Sequence, residues 1–383
     1  MIIVHKIELT PNASQRAYFA QASGVARHAW NWSLDQWKRQ YEAGGKPSEG
    51  ALRRQYNAIK PVEFPWAMDV TKCAPQQAIK NLGAAFQRFF QGKARYPRFK
   101  KKGVHDSFRA DNGPEKSGAD AVPVSGKRIK LPRIGWVQMR ECLRFNGQVK
   151  SVTISRRAGR WFAAISVDTG DALPHVRKAN GVCGVDLGVK VLATLSSGEV
   201  VAGPKAHKAL LQRLRRLSRS LSRKVKGSAN RRKARTKLAT LHARIANIRG
   251  DALHKLTTRL VLENDVIGIE DLNVRGMAKN RRLARSIMDQ SFHEFRRQIT
   301  YKAAWYGTQV VVADRWYPST KTCGTCGTVS RNVVLGMSEW PCGSCGTLHD
   351  RDLNAALNLE RLAASSAVTA SRTEGSGSAF AAE

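Results

Sequence analysis

The apolar positions of the first 175 residues follow three successive patterns, and each predicts a different kind of element. Residues 2–9 alternate between apolar and polar side chains, which predicts a strand, and Thr10-Pro11-Asn12 then provides a helix start. The helix that follows is expected to end at Gly44-Gly45, and its large apolar side chains recur at helical spacing: Trp30, Leu34, Trp37 and Tyr41. A second helical pattern covers roughly 69–91. From about 103 to 175, short apolar runs separated by Gly and Pro predict a small β-barrel-like module.

A different pattern begins at Gly181, where apolar strands are joined by short connections. GVCGVDLGVKVLATLSSGEVVAG predicts one strand, a glycine turn and two more strands, which together form a three-stranded antiparallel meander. A further strand is predicted within 260–272, helices over roughly 283–306, a strand at QVVVADRWY and a last helix from Asp350. After about residue 363 the sequence is small, polar and aperiodic, which predicts a disordered tail.

A strongly basic segment lies between these strands. Lys205 to Arg249 contains sixteen Lys or Arg residues and no acidic residue. Its apolar residues form two stripes at helical spacing on either side of Gly227-Ser228: Leu210, Leu214, Leu217 and Leu221, then Leu238, Leu241, Ile245 and Ile248. The pattern predicts a helical hairpin with an apolar seam and a cationic outer face. Solvated faces usually mix charges of both signs, so a face of one sign over this length favours contact with nucleic acid.

The composition of the whole chain supports the same kind of partner. The 383 residues include 65 Lys or Arg and 29 Asp or Glu, a formal net charge of +36, and 42% of them are hydrophobic. This hydrophobic fraction is sufficient for a sizeable core in two or three domains, while the charge predicts a polyanion as partner. No apolar run approaches the roughly 20 residues that span a bilayer, and the N-terminus lacks the pattern of a secretion signal. We therefore expect no membrane association and a cytoplasmic location.

Four of the seven cysteines form two CxxC pairs, Cys323–Cys326 and Cys342–Cys345, separated by fifteen residues. Two such pairs can direct four thiolates at one tetrahedral Zn²⁺ ion, which predicts a structural zinc ribbon. The alternative, buried or disulfide-bonded cysteines, fits less well because a chain without a secretion signal is expected in a reducing compartment. The other three cysteines are isolated and are expected to be small buried hydrophobic residues: Cys73, Cys142 and Cys183.

Three acidic residues stand in apolar or helix-initiating surroundings. Asp186 ends the first strand of the meander, Glu270 follows VIGI on another apolar strand, and Asp352 lies in the first turn of the last helix. A buried carboxylate is costly unless it is paired or binds a metal, so together they suggest two Mg²⁺ ions and phosphodiester hydrolysis. Individually, Asp186 could be a turn residue and Asp352 an acid at a helix N-terminus. The neighbouring competitors are expected to be solvated or capping: Asp265, Asp271 and Asp350.

The segment from about 181 to 360 resembles the RuvC-like nuclease of TnpB proteins, the insertion-sequence-encoded RNA-guided DNA endonucleases related to type V CRISPR effectors. The matching motifs are GVDLGVK, IGIEDLNVRGM, YKAAWYG, YPSTKTCGTCG and CGTLHDRDLNAALN, and upstream LTPNASQ, ARHAWNWSL and the stretch from YPRFKKK to KLPRIGWV. The resemblance implies a protein that binds a guide RNA, recognises a short motif beside its double-stranded DNA target and cuts the DNA. It implies two catalytic Mg²⁺ ions at Asp186, Glu270 and Asp352, and one structural Zn²⁺ ion in the ribbon.

The resemblance also implies a multidomain α/β and α+β architecture. An RNase H-like (RuvC) nuclease with an inserted zinc ribbon would be combined with a wedge-type β-barrel and an N-terminal helical recognition lobe. The expected boundaries are 1–10 for the first strand of the barrel, 11–102 for the helical lobe, 103–177 for the barrel, 178–316 for the nuclease with the basic hairpin at 205–250, 317–348 for the ribbon, 349–363 for the last nuclease helix and 364–383 for the tail.

Family members recognise the motif beside the target partly through a helix that here contains Lys72 and Gln76. Both residue types suit hydrogen bonds to base edges or phosphates, although both could also be ordinary exposed helix residues.

Two other functions remain as alternatives. A nuclease-inactive, RNA-guided DNA-binding repressor of the same fold would be favoured if one of the three acids were missing, and all three are present. A single-strand transposase would need a His-hydrophobic-His pair, which none of the nine histidines forms.

Overall fold

A computed structural model describes residues 1–111, 122–170, 178, 180–334 and 336–375. The chain divides into two compact units, Met1–Ala172 and Leu173–Glu383. Parts of the predicted barrel (112–121 and 171–177) and of the predicted tail (376–383) lie outside the described residues. Within the described ranges, no helix is both long enough and apolar enough to cross a membrane.

The N-terminal unit begins with one strand and three helices: β1 (Ile2–Leu9), α1 (Ala13–Glu42), α2 (Glu49–Glu63) and α3 (Cys73–Phe90). The helix start predicted at Asn12 is confirmed, because its side chain accepts a hydrogen bond from the Gln15 N–H at 2.9 Å and the Gln15 side chain accepts one from the Asn12 N–H at 3.0 Å. α1 and α3 correspond to the two predicted helices. α2 was not predicted because it buries only Leu52 and Tyr56, too few apolar positions to reveal a period.

The strands of this unit form two small antiparallel sheets: β2 (Ser107–Asp111), β3 (Val124–Ser125), β4 (Arg128–Leu131), β5 (Gly135–Gln138), β6 (Gln148–Arg157) and β7 (Arg160–Asp168). One sheet has the order β1-β7-β6-β2 and the other β3-β4-β5, with a single bridge between Leu9 and Met139. The described strands form no closed barrel, so the predicted closure was wrong. The bridge joins the second sheet to β1, but among the described residues no strand of the second sheet pairs with β2 at the opposite edge. Helix α1 covers the first sheet instead, where Phe19 packs against Phe108 and Trp161.

The C-terminal unit contains a five-stranded sheet: β8 (Asn180–Asp186), β9 (Ala193–Leu195), β10 (Val200–Val201), β11 (Asn264–Ile269) and β12 (Gln309–Val312). Its order is β10-β9-β8-β11-β12, with β8, β11 and β12 parallel and the predicted antiparallel meander formed by β8, β9 and β10. The strand predicted within 260–272 begins later than expected, at Asn264. The preceding residues belong to a helix because Leu253, Leu256, Leu260 and Val261 are buried on one helical face.

The predicted basic hairpin is present as α4 (Ala206–Ala209), α5 (Leu211–Ser222) and α6 (Ala229–Glu263). Leu214 and Leu217 of α5 pack against Leu241 and Ile245 of α6, as expected for the apolar seam. Ser228 begins α6 by accepting a hydrogen bond from the Arg231 N–H at 3.1 Å. No residue of α5 is fully buried, so its cations extend into solvent from a helix that is attached by one face.

The remaining elements complete the C-terminal unit: α7 (Val274–Met277), α8 (Ala284–Gln290), α9 (Phe292–Tyr306), the ribbon strands β13 (Glu339–Pro341) and β14 (Leu348–Asp350), and α10 (Arg351–Gly375). The structure differs from the predicted tail, because α10 continues past residue 363 to Gly375. The alanines of AASSAVTASR favour helix, and an existing helix extends more easily than a new one nucleates.

Candidate active site

Asp186 and Glu270 lie side by side at the carboxyl edge of the C-terminal sheet. β8 and β11 are parallel neighbours, and Val185 pairs in register with Ile269. Asp186 is the last residue of β8, and Glu270 is the first residue after β11. Asp186 is buried, with 9% of its surface exposed, and Glu270 is half-buried. The apolar strands therefore bring two acids that are 84 positions apart in the sequence (270 minus 186) to one edge.

Asp352 approaches the same edge from the first turn of α10, which packs across β8 and β11. Its negative charge acts on both Asp186 and Glu270 and raises the pKa of each carboxyl. Arg351 donates two hydrogen bonds to Asp352 Oδ1, at 2.9 and 2.7 Å. The structure thus brings together all three acids that the sequence analysis selected.

Two glycines allow α10 to lie directly on the backbones of these strands. A Cβ atom at Gly184 would lie 1.9 Å from the carbonyl oxygen of Ala356, and one at Gly268 would lie 2.3 Å from that of Leu359. No side chain larger than hydrogen fits at these distances. Both glycines occur in the motifs GVDLGVK and IGIEDL, yet nothing in the sequence indicated that a helix passes over them.

Gly184→Ala is expected to lower the stability of the C-terminal unit and to slow any reaction that needs Asp352. The added methyl group must displace α10, and overpacking of this kind costs about 1–3 kcal/mol or more. For a unit of this size the expected loss in Tm is about 2–4 °C per kcal/mol. Gly181→Ala on the same strand is the matched control, because a Cβ there has no heavy atom within 4 Å. Equal melting temperatures for the two variants would contradict the close helix–strand approach.

The electrostatics of the three acids favour a bound cation. Burial raises the pKa of Asp186 well above its usual range, the charges of Glu270 and Asp352 raise it further, and Arg351 opposes them. Burial also raises the pKa of Glu270, while a hydrogen bond from the Ser319 hydroxyl to Glu270 Oε1 lowers it. Neighbouring carboxylates that are held away from water repel one another unless a positive charge neutralises them. Arg351 offsets one of the three charges, and a metal ion would offset the others.

The donor set fits Mg²⁺, which prefers carboxylate and other hard oxygen ligands. Among the described residues, one group of metal-ligating side chains has all its ligand atoms within 4.8 Å of one another, and it consists of cysteines rather than these acids. The three carboxylates are therefore more widely spaced.

The neighbouring acids have other partners. Asp350 Oδ1 accepts a hydrogen bond from the Leu353 N–H at 2.8 Å and so caps α10, as predicted. Asp265 is 60% exposed in its side chain, also as predicted, and lies 3.8 Å from the Lys178 ammonium. Asp271 is partly exposed, in line with the prediction, but it is ion-paired rather than capping: Arg315 donates to its Oδ2 at 2.6 Å, and Arg296 donates to its Oδ1. These two arginines beside Glu270 were missed, because no local pattern links positions 271, 296 and 315.

The four ribbon cysteines form a second candidate metal centre. Their Sγ atoms all lie within 4.8 Å of one another, with 3.6 Å between Cys323 and Cys345 and between Cys326 and Cys342. Tetrahedral zinc with Zn–S bonds of about 2.3 Å needs sulfurs about 3.8 Å apart, so the donor set fits this ion. Hydrogen bonds with the Thr328 hydroxyl and N–H lower the pKa of the Cys326 thiol to about 6, which favours the thiolate that binds metal.

The three isolated cysteines differ from the expectation at one position. Cys73 and Cys183 are buried, as predicted, but Cys142 is exposed. Cys142 lies in an irregular segment between β5 and β6, where the sequence has no regular period from which to predict burial.

Two buried asparagines of α10 connect this helix to the ribbon. Asn354 Oδ1 accepts from the Gly324 N–H, and its Nδ2 donates to the Thr322 carbonyl, both at 2.8 Å. Asn358 Nδ2 donates to the carbonyls of Ser319 and Thr322, also at 2.8 Å. The first CxxC turn and Ser319, the hydrogen-bond donor to Glu270, are thus bonded to the helix that carries Asp352. Both asparagines stand in the quoted motif DLNAALN, but their role was not predicted.

The residues predicted to contact the DNA motif lie in the N-terminal unit. Lys72 is the residue before α3 and is exposed, and Gln76, in the first turn of α3, is half-buried. They are separated by about one helical turn, so their side chains occupy the same side of the helix. Their surface exposure is compatible with contact to a ligand, and their role stays a prediction.

Three family profiles match this chain. Residues 1–46 match one described as a helix-turn-helix domain, although here they form one strand and one 30-residue helix. Residues 164–281 match a profile described as a probable transposase of the OrfB IS605 type. Residues 292–359, with α9 and the cysteine cluster, match the Cas12f1-like TNB domain.

Two relatives are similar in sequence along almost the whole length of this chain. A Streptomyces pristinaespiralis protein named "Putative RNA-guided DNA endonuclease" is 38% identical over 367 residues, which are 92% of this chain and 87% of the relative. Escherichia coli (strain K12) InsQ, which has the same description, is 35% identical over 95% of this chain and 92% of its own. The fold matches the protein in a cryo-EM structure of a Cas12f1–sgRNA–target DNA complex with a TM-score of 0.59 and 14% identity, over 90% of this chain and 83% of that one.

That structural likeness shows the mixed α/β fold of a type V CRISPR effector. The sequence identity is evidence of closer kinship, since the two matches cover 92% and 95% of this chain. The chain therefore belongs to the TnpB family of insertion-sequence-encoded RNA-guided DNA endonucleases.

Proposed function

We propose that this protein is a Mg²⁺-dependent, RNA-guided DNA endonuclease whose nuclease centre is of the RNase H-like (RuvC) type. The observation that carries the proposal is the convergence of Asp186, Glu270 and Asp352 at the carboxyl ends of two parallel strands. The names of the relatives and the fold of the Cas12f1 complex support the same activity.

The three carboxylates would hold two Mg²⁺ ions, which when bound activate water and stabilise the charge on the leaving oxygen in phosphodiester hydrolysis. The chain itself orients the ligands. Ser319 donates to Glu270 Oε1 and Arg351 donates to Asp352 Oδ1, so hydrogen bonds restrict the orientation of both carboxylates that would hold the ions. Asp186 lies on a strand in the middle of the sheet, where backbone hydrogen bonds on both sides restrict its motion.

The cysteine cluster would hold one Zn²⁺ ion with a structural role. Four thiolates fill a tetrahedral coordination sphere, so no position remains for water or substrate. A site built from free thiolates also suits the reducing cytoplasm. Through Asn354 and Asn358, the folded ribbon would keep Ser319 beside Glu270.

The guide RNA is the proposed partner of the basic hairpin. A concave surface on α5 contains side chains suited to phosphates: Arg215, Arg216, Arg219, Arg223 and Lys224. Arg231 has a different role, since it donates to the carbonyls of Leu221 and Lys224 at 3.1 and 2.7 Å and so caps the end of α5. Lys72 and Gln76 are the proposed contacts to the short motif beside the double-stranded target.

The guide is expected to determine where the DNA is cut. Base pairing selects the target, while the protein contacts a short flanking motif and the shape of the heteroduplex. The test is a plasmid library in which one target is flanked by randomised sequence, offered with Mg²⁺ to the protein assembled with a matched or an unmatched guide. We expect cutting with the matched guide alone, next to one flanking motif.

Two results would contradict this proposal. Equal cutting with both guides, or cutting by RNA-free protein, would indicate a nuclease that is not RNA-guided. Binding of the matched target without cutting, under all divalent metal conditions, would favour the alternative of an RNA-guided repressor. The complex carrying Asp186→Asn is the control, because it should bind the matched target and leave it intact.

A further inference from the structure

A histidine lies between the second CxxC turn and the helix that carries Asp352. His349 is the middle residue of β14, shortly after Cys345 and shortly before Asp352. It belongs to the motif CGTLHDRDLNAALN, in which the cysteines and Asp352 have proposed roles and the imidazole has none. The side chain is half-buried, and the contacts of its ring indicate what it does.

The imidazole contacts the sulfur of a fully buried ribbon cysteine. His349 Nε2 lies 3.0 Å from Cys323 Sγ, and the two residues are 26 positions apart in the sequence. Cys323 is 0% exposed. A cysteine that binds metal is a thiolate, which can only accept hydrogen bonds, so the proton of this contact belongs to Nε2. In the metal-bound ribbon, His349 is therefore a hydrogen-bond donor to Cys323.

Two backbone groups point at the same sulfur. The N–H groups of Thr325 and Cys326 donate to Cys323 Sγ at 3.4 and 3.5 Å. Together with the imidazole, donors from the first CxxC turn and from β14 converge on one atom. Hydrogen bonds from several N–H groups favour the charged form of the group that accepts them, so this arrangement suits a thiolate.

A buried tryptophan fixes the orientation of the imidazole. β13 and β14 pair antiparallel, with Trp340 directly opposite His349. The indole is 1% exposed and packs against the imidazole, with 4.9 Å between the ring centroids. Trp340 also belongs to the apolar cluster that contains Cys323 and Cys342. The ring of His349 is thus held between a buried aromatic side chain and a sulfur.

The donor set places His349 outside the coordination sphere of the proposed Zn²⁺ ion. Among the described residues, the group whose ligand atoms all lie within 4.8 Å of one another consists of the four ribbon cysteines and does not include His349. Four thiolates already complete a tetrahedron. The histidine therefore acts on one of the ligands rather than on the ion itself.

We propose that His349 controls how firmly the ribbon retains Zn²⁺, by donating the Nε2 hydrogen bond to the thiolate of Cys323. Four thiolates carry more negative charge than one Zn²⁺ ion balances, so an N–H donor to one of them stabilises the loaded site. This inference rests on the proposed zinc site. It adds a residue that is not a ligand and on which the lifetime of the bound ion depends.

The position of β14 makes the retained ion relevant to the proposed nuclease centre. β14 ends at Asp350 and α10 begins at Arg351, without an intervening loop. The Arg351 N–H donates to the Ser338 carbonyl of the ribbon at 2.8 Å. A ribbon that has lost its ion therefore no longer fixes the strand from which the turn with Asp352 begins. His349 is thereby a positioning residue for the nuclease centre, and it acts through the ion.

The first test measures how fast the full-length protein releases Zn²⁺ to an excess of chelator. His349→Phe keeps an aromatic ring against Trp340 but has no donor, so it should release Zn²⁺ about 10- to 100-fold faster than wild type. His349→Gln should release Zn²⁺ at nearly the wild-type rate, because its amide N–H can replace the Nε2 donor. Leu348→Ala is the matched control, since Leu348 is the neighbouring residue of β14 and is 64% exposed.

Two outcomes of this measurement would overturn the inference. Equal release rates for wild type and His349→Phe would show that the hydrogen bond does not retain the ion. Equally fast release from His349→Gln and His349→Phe would attribute the effect to the shape of the ring rather than to its N–H donor. The rate of Leu348→Ala should match that of wild type.

The second test distinguishes a donor to a ligand from a ligand. X-ray absorption at the zinc edge of the wild-type protein should show four sulfur neighbours and no nitrogen, because the imidazole bonds to Cys323 rather than to the ion. The spectrum of His349→Gln should be the same. A wild-type spectrum with three sulfurs and one nitrogen would make His349 a ligand and would overturn the inference.

The third test asks whether His349 acts on the nuclease through the ion. Guide-RNA complexes of His349→Phe and Asn358→Ala are assayed for DNA cleavage with Mg²⁺, first in a Zn²⁺-selective chelator and then with added Zn²⁺. His349→Phe should cut slowly in the chelator and regain most of the wild-type rate with Zn²⁺. Asn358→Ala should stay slow in both, because it lacks the amide that binds the carbonyls of Ser319 and Thr322.

The outcomes of these tests separate the role of His349 from the proposals on which it depends. If added Zn²⁺ does not restore cleavage by His349→Phe, the effect on the nuclease does not pass through the ion. A wild-type protein without zinc would refute the zinc site and the role of His349 together. A wild-type complex that retains zinc but cuts no DNA would refute the proposed nuclease function, while the release rates would still decide the role of His349.

Discussion

Replacing Asp186 by Asn is expected to abolish DNA cleavage and, at the same time, to make the metal-free protein more stable. The substitution removes a proposed Mg²⁺ ligand, so the cleavage rate should fall at least about a thousandfold, the equivalent of about 4 kcal/mol. It also removes a buried charge that Glu270 and Asp352 repel. The expected gain in Tm is about 2–4 °C for each kcal/mol of repulsion that is relieved.

The direction of the pKa shift determines how this stability depends on pH. Burial, Glu270 and Asp352 raise the pKa of Asp186 in the folded state above its ordinary value of 3.8, so the folded protein binds this proton more tightly than the unfolded chain. The resulting stabilisation is complete below the unfolded pKa and is lost as the pH rises through the folded pKa. In EDTA, wild type should lose more stability over this interval than Asp186→Asn, in which Glu270 is the remaining carboxyl whose pKa burial raises. Mg²⁺ at neutral pH should stabilise wild type more than the variant.

Asp265→Asn is the matched control for this prediction. Asp265 lies on β11, like the residues before Glu270, but its side chain is 60% exposed. We expect this variant to keep both the cleavage rate and the melting curve of wild type. Equal stability of wild type and Asp186→Asn in EDTA would contradict the proposed repulsion. Full cleavage by Asp352→Asn would indicate that Asp350, rather than Asp352, is the third proposed metal ligand.

Loss of zinc is expected to unfold the ribbon. The nuclease should then lose activity although none of the three acids is changed. Structural zinc sites contribute about 10–16 kcal/mol of apparent binding free energy, far more than a ribbon of this size can replace by packing. Cys323→Ser removes a ligand from the buried side of the cluster. Without the folded CxxC turn, Asn354 and Asn358 lose the carbonyl of Thr322, and Ser319 is no longer kept beside Glu270. Hydrogen exchange should increase in the ribbon, and cleavage should fall by orders of magnitude.

Two further variants distinguish the effect of zinc binding from the effect of the hydrogen bonds between α10 and the ribbon. Cys142→Ser changes an exposed cysteine of the N-terminal unit and should affect neither zinc content nor cleavage. Asn358→Ala leaves all four cysteines in place but removes the donor to Ser319 and Thr322, so cleavage should fall while elemental analysis still finds one zinc per chain. Active protein without zinc would contradict the structural role of the ion. Full activity of Asn358→Ala would show that its hydrogen bonds to Ser319 and Thr322 are not needed to position Ser319 beside Glu270.

Short-range patterns predicted much of the C-terminal unit. The meander, the leucine seam of the basic hairpin and the paired CxxC turns each depend on residues that are close in the sequence. The helix–strand boundary near residue 264 was misplaced because a buried strand and the buried end of a helix have the same apolar composition. α2 was not predicted for the opposite reason: it has too few buried positions to show any period.

The sequence by itself determined which residues could form a metal centre, because a carboxylate on an apolar strand and a cysteine in a CxxC turn are unusual wherever they occur. Tertiary structure alone decided how these residues are held. Whether the strands of the N-terminal unit close into a barrel depends on edges that are distant in the chain. Gly184 and Gly268 acquire their role only when α10 crosses them, and Arg315 becomes a neighbour of Glu270 only through Asp271. The physical reason is that periodicity reports the burial of one element, whereas contact between elements depends on packing distances that no local pattern encodes.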